Sequence, residues 1–142
     1  MKTFSISDIG KRREMNQDYM YTSENAVGNL PNLFIVADGM GGHKAGEYAS
    51  RYTVESIVES IEKDERTEPV EVIEHAICKA NEELIKKAAG DEAMSGMGTT
   101  VVVVTVIGKK AWVANVGDSR MYVVGKEIKQ VTRDHSLSLI HI

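Results

Sequence analysis

Short apolar runs alternate with polar breaks along this chain, and the period of each run predicts an element. Thr3 to Ile9 alternates, with Phe4 and Ile6 between polar neighbours, and predicts a half-buried strand. Asp18 to Thr22 predicts a second strand. Glu24 to Asn32 holds Asn25, Gly28, Asn29 and Pro31, turn formers that predict a loop. Leu33 to Ala37 is a continuous apolar run, short enough for one buried strand. It ends at Asp38, and the glycines of Asp38-Gly39-Met40-Gly41-Gly42 then open into a helix. From Ala45 most apolar positions (Tyr48, Ala49, Tyr52, Ile57, Val58, Ile61) keep helical spacing. Lys63 to Glu68 is a charged break. Pro69 suits the first turn of a second helix, whose stripe is Ile73, Ile77, Ala80, Leu84 and Ala88, and Gly90 marks its stop.

The second half has a different texture. Asp91 to Gly98 is a loop rich in Gly, Ser and Met. Thr99 to Ile107 is almost wholly β-branched, which predicts a strand buried on both faces. Gly108-Lys109-Lys110 turns the chain into a strand from Ala111 to Val116. Gly117-Asp118 then predicts a tight turn, Ser119 to Val124 another strand, and Gly125-Lys126-Glu127 a turn into Ile128 to Val131. Strands so closely spaced pair as antiparallel hairpins. Three strands, two helices and four strands give an α+β layered domain rather than a doubly wound one.

Composition narrows the function classes. A chain of 142 residues with 42% apolar and 27% charged residues and two prolines supports one packed domain, residues 1–142. A net charge of −4 and a pI near 5.6 offer no basic surface for nucleic acid, and Lys11-Arg12-Arg13 is too short to form one. The single cysteine, Cys78, excludes an internal disulfide and fits a reducing compartment. Its place beside the second helix's stripe predicts a small buried or half-buried side chain. Met1 to Ser5 has no apolar signal core, and Val101 to Ile107 is far short of a membrane span. The expectation is a soluble, cytoplasmic protein with no membrane contact.

Three strings carry possible chemistry. Asp38-Gly39-Met40-Gly41-Gly42 reads either as a strand–turn–helix corner eased by glycine, or as a carboxylate kept clear for a cation or phosphate. It fits no dinucleotide fingerprint and no P-loop, since Gly46 is followed by Glu47. Arg13-Glu14-Met15-Asn16-Gln17-Asp18 reads either as a surface arginine and a turn acid, or as a planar fork for phosphate beside a second metal-facing carboxylate. Ala114-Asn115-Val116-Gly117-Asp118-Ser119-Arg120 reads as a hairpin with Asp in its turn, although its polar residues interrupt a core pattern.

Taken in order with Gly98-Thr99-Thr100 and Thr132-Arg133-Asp134-His135-Ser136, these strings resemble the metal-dependent protein phosphatase family, the type 2C class, in its bacterial Ser/Thr form. The resemblance runs from Asp8 to about Ser136. It implies a layered α-β-β-α sandwich of antiparallel sheets flanked by helices, of which this chain carries the N-terminal portion. It implies hydrolysis of phosphoserine and phosphothreonine in proteins by a water activated between two metal ions, Mn²⁺ or Mg²⁺, with a third ion in some members. By position, Arg13 would grip the substrate phosphate. Asp38 would bridge the ions, the Gly39 carbonyl would bind one of them, Asp18 would hold metal or its water, and Asp118 would serve the third site. Gln17 stands where many relatives have Glu. His43 lies in the glycine loop, where a lone histidine is more often solvated. The implied partners are phosphorylated proteins and a cognate Ser/Thr kinase acting on the same targets. A competing class is a non-catalytic phosphoprotein-binding module on the same fold.

Family members continue beyond this length and supply further metal acids there. The last six residues, Leu137-Ser138-Leu139-Ile140-His141-Ile142, depart from the family pattern. The codons CTG-TCT-CTT-ATA-CAC-ATC encode them, a string like a transposon-end sequencing adapter. The expectation is a longer gene read into adapter; the alternative is a natural end strand. On the first reading the isolated chain would expose apolar surface, tend to aggregate and turn over weakly.

Overall fold

The computed structural model describes residues 1–42, 44–133 and, as backbone, 136–141. Strands β1 (Asp18–Ser23) and β2 (Leu33–Met40) are followed by helices α1 (Ala45–Lys63) and α2 (Pro69–Gly90). A short 3₁₀ turn, Glu92–Met94, leads into β3 (Gly98–Thr99), β4 (Val101–Ile107), β5 (Lys110–Val116), β6 (Tyr122–Val124), β7 (Ile128–Gln130) and β8 (Ser136–His141). The principal sheet is antiparallel in the order β1-β2-β4-β5-β8, with β3 added to the end of β2, and β6–β7 form a separate ribbon. The α+β class and its antiparallel sheets with flanking helices agree with the sequence reading.

The helices pack on each other, and α1 lies across β1 and β2. Residues at helical spacing on α1 (Val54, Ile57, Ile61) and α2 (Val72, Ile73, Ala76) meet Leu33, Ile35, Ala37, Val101 and Val103 of the sheet. Ile57, Ile61 and Ile73 are completely buried, and each such side chain contributes about 1.5–3 kcal/mol of transfer free energy. Strand alternation sends the other set outward. Val102, Ala111 and Val113 form a smaller cluster on the opposite face with Met121 and Val131. Val36, on that face, is 49% exposed.

Asn32 fixes the register of β2 against β4. Its amide donates to the Val106 carbonyl at 2.7 Å and accepts from the Val106 N–H at 2.7 Å, while the Thr105 hydroxyl donates to the Asn32 carbonyl at 2.8 Å. This buried side chain adds a rung beyond the strand's end, and the register it sets carries through to Asp38.

Several expectations are corrected. Thr3 to Ile9 is no strand: Phe4 is 86% exposed and Ile6 73%, because alternation alone does not make a strand without a paired edge. The first strand of the sheet is therefore β1. Leu33 to Ala37 extends to Met40, since β1 and β3 pair with the Asp38–Met40 end on either side. β5 does not form a hairpin with a strand at Ser119; it pairs with β4 and β8, and the strand predicted there shrinks to Tyr122–Val124, paired with β7. Cys78 is exposed, one step off the buried stripe of α2.

Candidate metal centre

Antiparallel register places Asp18 directly opposite Asp38 on the β1–β2 ladder. Because Ala37 faces the helices, Asp38 faces the other way, and so does its rung partner. Both remain open to solvent. Partial burial at the strand mouth pushes the Asp18 carboxyl above its ordinary value of 3.8. The charge of Asp38 and a side-chain hydrogen bond with it push the same way, and the nearby Arg13 guanidinium pulls back. Asp18 is held from below by Asn16, whose side-chain oxygen accepts its N–H at 3.0 Å.

The glycines around this rung serve close approach. A Cβ on Gly39 would overlap the carbonyl oxygen of Gly46 in the first turn of α1. A Cβ on Gly46 would lie 2.6 Å from the Gln17 amide nitrogen. Gln17 is the residue wedged into this corner: its carbonyl accepts the Gly39 N–H at 3.0 Å, and its amide donates to the Gly41 carbonyl at 3.3 Å. The start of α1 is thus locked against the end of β2, and no side chain from the loop's described glycines crowds the two acids.

On the other flank Thr100 interrupts the ladder between β3 and β4. Its N–H donates to the Asp38 carbonyl at 2.9 Å, and its hydroxyl accepts the Asp38 N–H at 3.2 Å. That hydroxyl also shares a 2.6 Å hydrogen bond with Ser119. Gly117, at φ +104°, packs so tightly on Thr100 that a Cβ would come 2.7 Å from its methyl group. Asn115, 2% exposed, donates to the Arg133 carbonyl at 2.8 Å and ties the end of β5 to the returning chain. The Gly98-Thr99-Thr100 and Ala114 to Arg120 strings therefore form one frame around the main chain of Asp38.

The structure brings Asp18, Asp38 and the Gly39 main chain together, with Arg13 beside them. Asp118 is exposed between Gly117 and Ser119, both of which touch Thr100. Among the described residues no three His, Cys, Asp or Glu side chains gather into one metal-sized group. His43, Asp134 and His135 lie outside the described residues. Gly46 and Thr100 gain roles that the sequence did not signal individually; the Gly-Glu junction after Ala45 and a threonine in a β-branched run look like ordinary helix and strand positions.

Two carboxylates on one rung repel, so folding alone does not favour them. An all-oxygen donor set with a main-chain carbonyl in reach is suited to a hard divalent cation. The class defined is an antiparallel α+β domain with a pair of facing carboxylates at a strand mouth. The chain belongs to the protein phosphatase 2C family, whose profile matches residues 10–139. It is 38% identical over 141 residues to the protein phosphatase PhpP of Streptococcus pneumoniae, covering 96% of this chain and 56% of PhpP. The fold is similar to the serine/threonine phosphatase Stp1 of Staphylococcus aureus, with TM-score 0.80 and 35% identity over 92% of this chain and 52% of that one. It is also similar to the catalytic domain of the phosphatase PstP in complex with two manganese ions, with TM-score 0.78 and 28% identity over 91% of this chain and 54% of that one. The chain spans about half the length of the curated relatives it matches.

Proposed function

We propose that the protein hydrolyses phosphoserine and phosphothreonine in other proteins at a centre built on Asp18 and Asp38. The observation that carries this reading is their shared rung, where partial burial and the facing Asp38 raise the cost of charge on Asp18 that a cation would offset. Asp38, Asp18 and the Gly39 carbonyl would hold two divalent ions, Mn²⁺ or Mg²⁺, and Asp118 would serve a third. Bound there, such ions supply Lewis acidity and make a water acidic enough to react near neutral pH. Arg13 would orient the substrate phosphate through its planar fork. Thr100 and Ser119 hold the Asp38 main chain so that its carboxylate needs no rearrangement. Gln17 ties down the glycine loop through its amide's hydrogen bond to the Gly41 carbonyl. Phosphorylated proteins as substrates are supported by the likeness to serine/threonine phosphatases; a kinase acting on the same targets and a cytoplasmic setting complete the proposal.

Only two carboxylates meet in the described rung, so the 142-residue chain by itself is inferred to turn over weakly and to associate through its uncovered sheet face. Robust Mn²⁺-dependent turnover of a phosphopeptide by this chain would refute that inference. The second reading, a phosphoprotein-binding module, draws on Arg13 and the same two-acid limit. Calorimetry separates the readings. Mn²⁺ binding lost in Asp38→Asn supports the enzyme; phosphopeptide binding without metal, lost in Arg13→Ala and unchanged in Asp38→Asn, supports the module.

A further inference from the structure

We infer that Met40 selects among substrates: it receives an apolar side chain, aromatic above all, carried two residues away from the phosphorylated serine or threonine of an extended peptide. The inference rests on the phosphatase reading of the Asp18–Asp38 rung and adds a contact beside it. Met40 ends β2, two residues beyond Asp38. Strand alternation puts both side chains on the same outward face, and both are exposed. In Asp38-Gly39-Met40-Gly41-Gly42 it is the single apolar side chain among glycines. Its partner on β3 is Gly98. A Cβ built on Gly98 would lie 3.5 Å from the Met40 Cγ and 3.7 Å from its Sδ. The methionine therefore lies across the bare backbone of Gly98.

Lone exposed apolar residues are common on protein surfaces. Met40 is 55% exposed, and its place next to the two acids gives that exposure a use. Two residues of strand span about 7 Å. In an extended peptide the side chains of residues two apart project the same way at the same spacing. A peptide laid along β2 with its phosphoresidue at the acids therefore brings its second neighbour over Met40. An immediate neighbour projects to the other side. The unbranched thioether adapts to many apolar shapes and favours the edges of aromatic rings, which sets the chemistry of the preferred residue.

The test uses short alanine peptides carrying the non-hydrolysable phosphonate analogue of phosphoserine, titrated in Mg²⁺ into chain labelled with ¹³C at its methionine methyls. One phenylalanine replaces an alanine, either next to the phosphonate residue or two residues from it, on either side. Two residues away, on one side, it should tighten binding about three- to tenfold over the alanine peptide and shift the Met40 methyl. Next to the phosphonate residue it should do neither. Met40→Gln keeps the length and removes the apolar surface, and should abolish the gain; Met40→Leu should keep most of it. Binding that ignores the position of phenylalanine, or a gain that survives Met40→Gln, overturns this inference alone. A loss in Met40→Gln shared equally by the alanine peptide would make Met40 merely structural and overturns it as well. Failure of every peptide to bind overturns it together with the phosphatase reading.

Discussion

Asp38→Asn separates a residue kept for function from one kept for stability. The substitution removes one of two facing charges and leaves both main-chain hydrogen bonds to Thr100 in place. Two unit charges at rung distance repel by about 1 kcal/mol in bulk water and about 4 kcal/mol at an effective dielectric of 20. Both acids are open to solvent, so the lower figure applies, discounted by screening to about 0.5–1 kcal/mol. For a domain of this size that is a rise in Tm of about 2–4 °C for the metal-free protein. The pH dependence has a definite sign. The folded state holds the Asp18 proton above the ordinary value of 3.8, with burial the first cause and Asp38 the next. The associated stability is fully present below pH 3.8 and is lost as pH rises through the folded-state value. Asp38→Asn removes part of that loss, so its advantage should be absent below pH 3.8 and grow above it. Saturating Mn²⁺ should reverse the order, because only the parent chain binds it; at a hundred times Kd the gain is about 2.7 kcal/mol. The assay is thermal melting across pH in EDTA and in Mn²⁺. An Asp38→Asn protein that is less stable without metal, equally so at every pH, would refute the reasoning.

Gly46→Ala should change stability by less than about 1 kcal/mol, since helix propensity offsets a clash with the movable Gln17 amide; its Mn²⁺ affinity should nonetheless fall, as calorimetry would show. Gly39→Ala meets a main-chain carbonyl that cannot swing away, and chemical denaturation should record a loss of about 3 kcal/mol. Thr100→Val strips the Asp38 N–H and Ser119 of a partner and should cost about 1–3 kcal/mol, with weaker Mn²⁺ binding that Thr100→Ser restores. Ile57→Ala, at a fully buried position, should cost about 2–5 kcal/mol in urea melts and leave metal binding intact in the folded fraction.

What could be read from sequence was periodic and local. The stripes of α1 and α2 and the β-branched run of β4 announce their elements because burial repeats along one segment. Phe4 and Ile6 alternate as well, yet remain exposed, because a strand needs a partner edge that the segment does not encode. The chain after β5 turned outward for a similar reason: Gly117 is fixed by its packing on Thr100, a residue seventeen positions earlier in the sequence, rather than by a hairpin. Asp38 and Asp18 stood out as acids at strand mouths, but only antiparallel register puts them on one rung. Gln17 illustrates the limit from the other side. Resemblance marks it as a departure from a common Glu, while the structure shows an amide wedged between Gly41 and Gly46, a contact no single-residue signal reveals.

Mn²⁺ titrated into ¹⁵N-labelled chain, with paramagnetic broadening followed residue by residue, tests the two-acid rung most directly. The account predicts broadening centred on Asp18, Asp38 and Gly39, fading along β2 towards Leu33 and absent from that centre in Asp38→Asn. Broadening centred instead on the acidic stretch around Asp64 and Glu65, unchanged by Asp38→Asn, would contradict it.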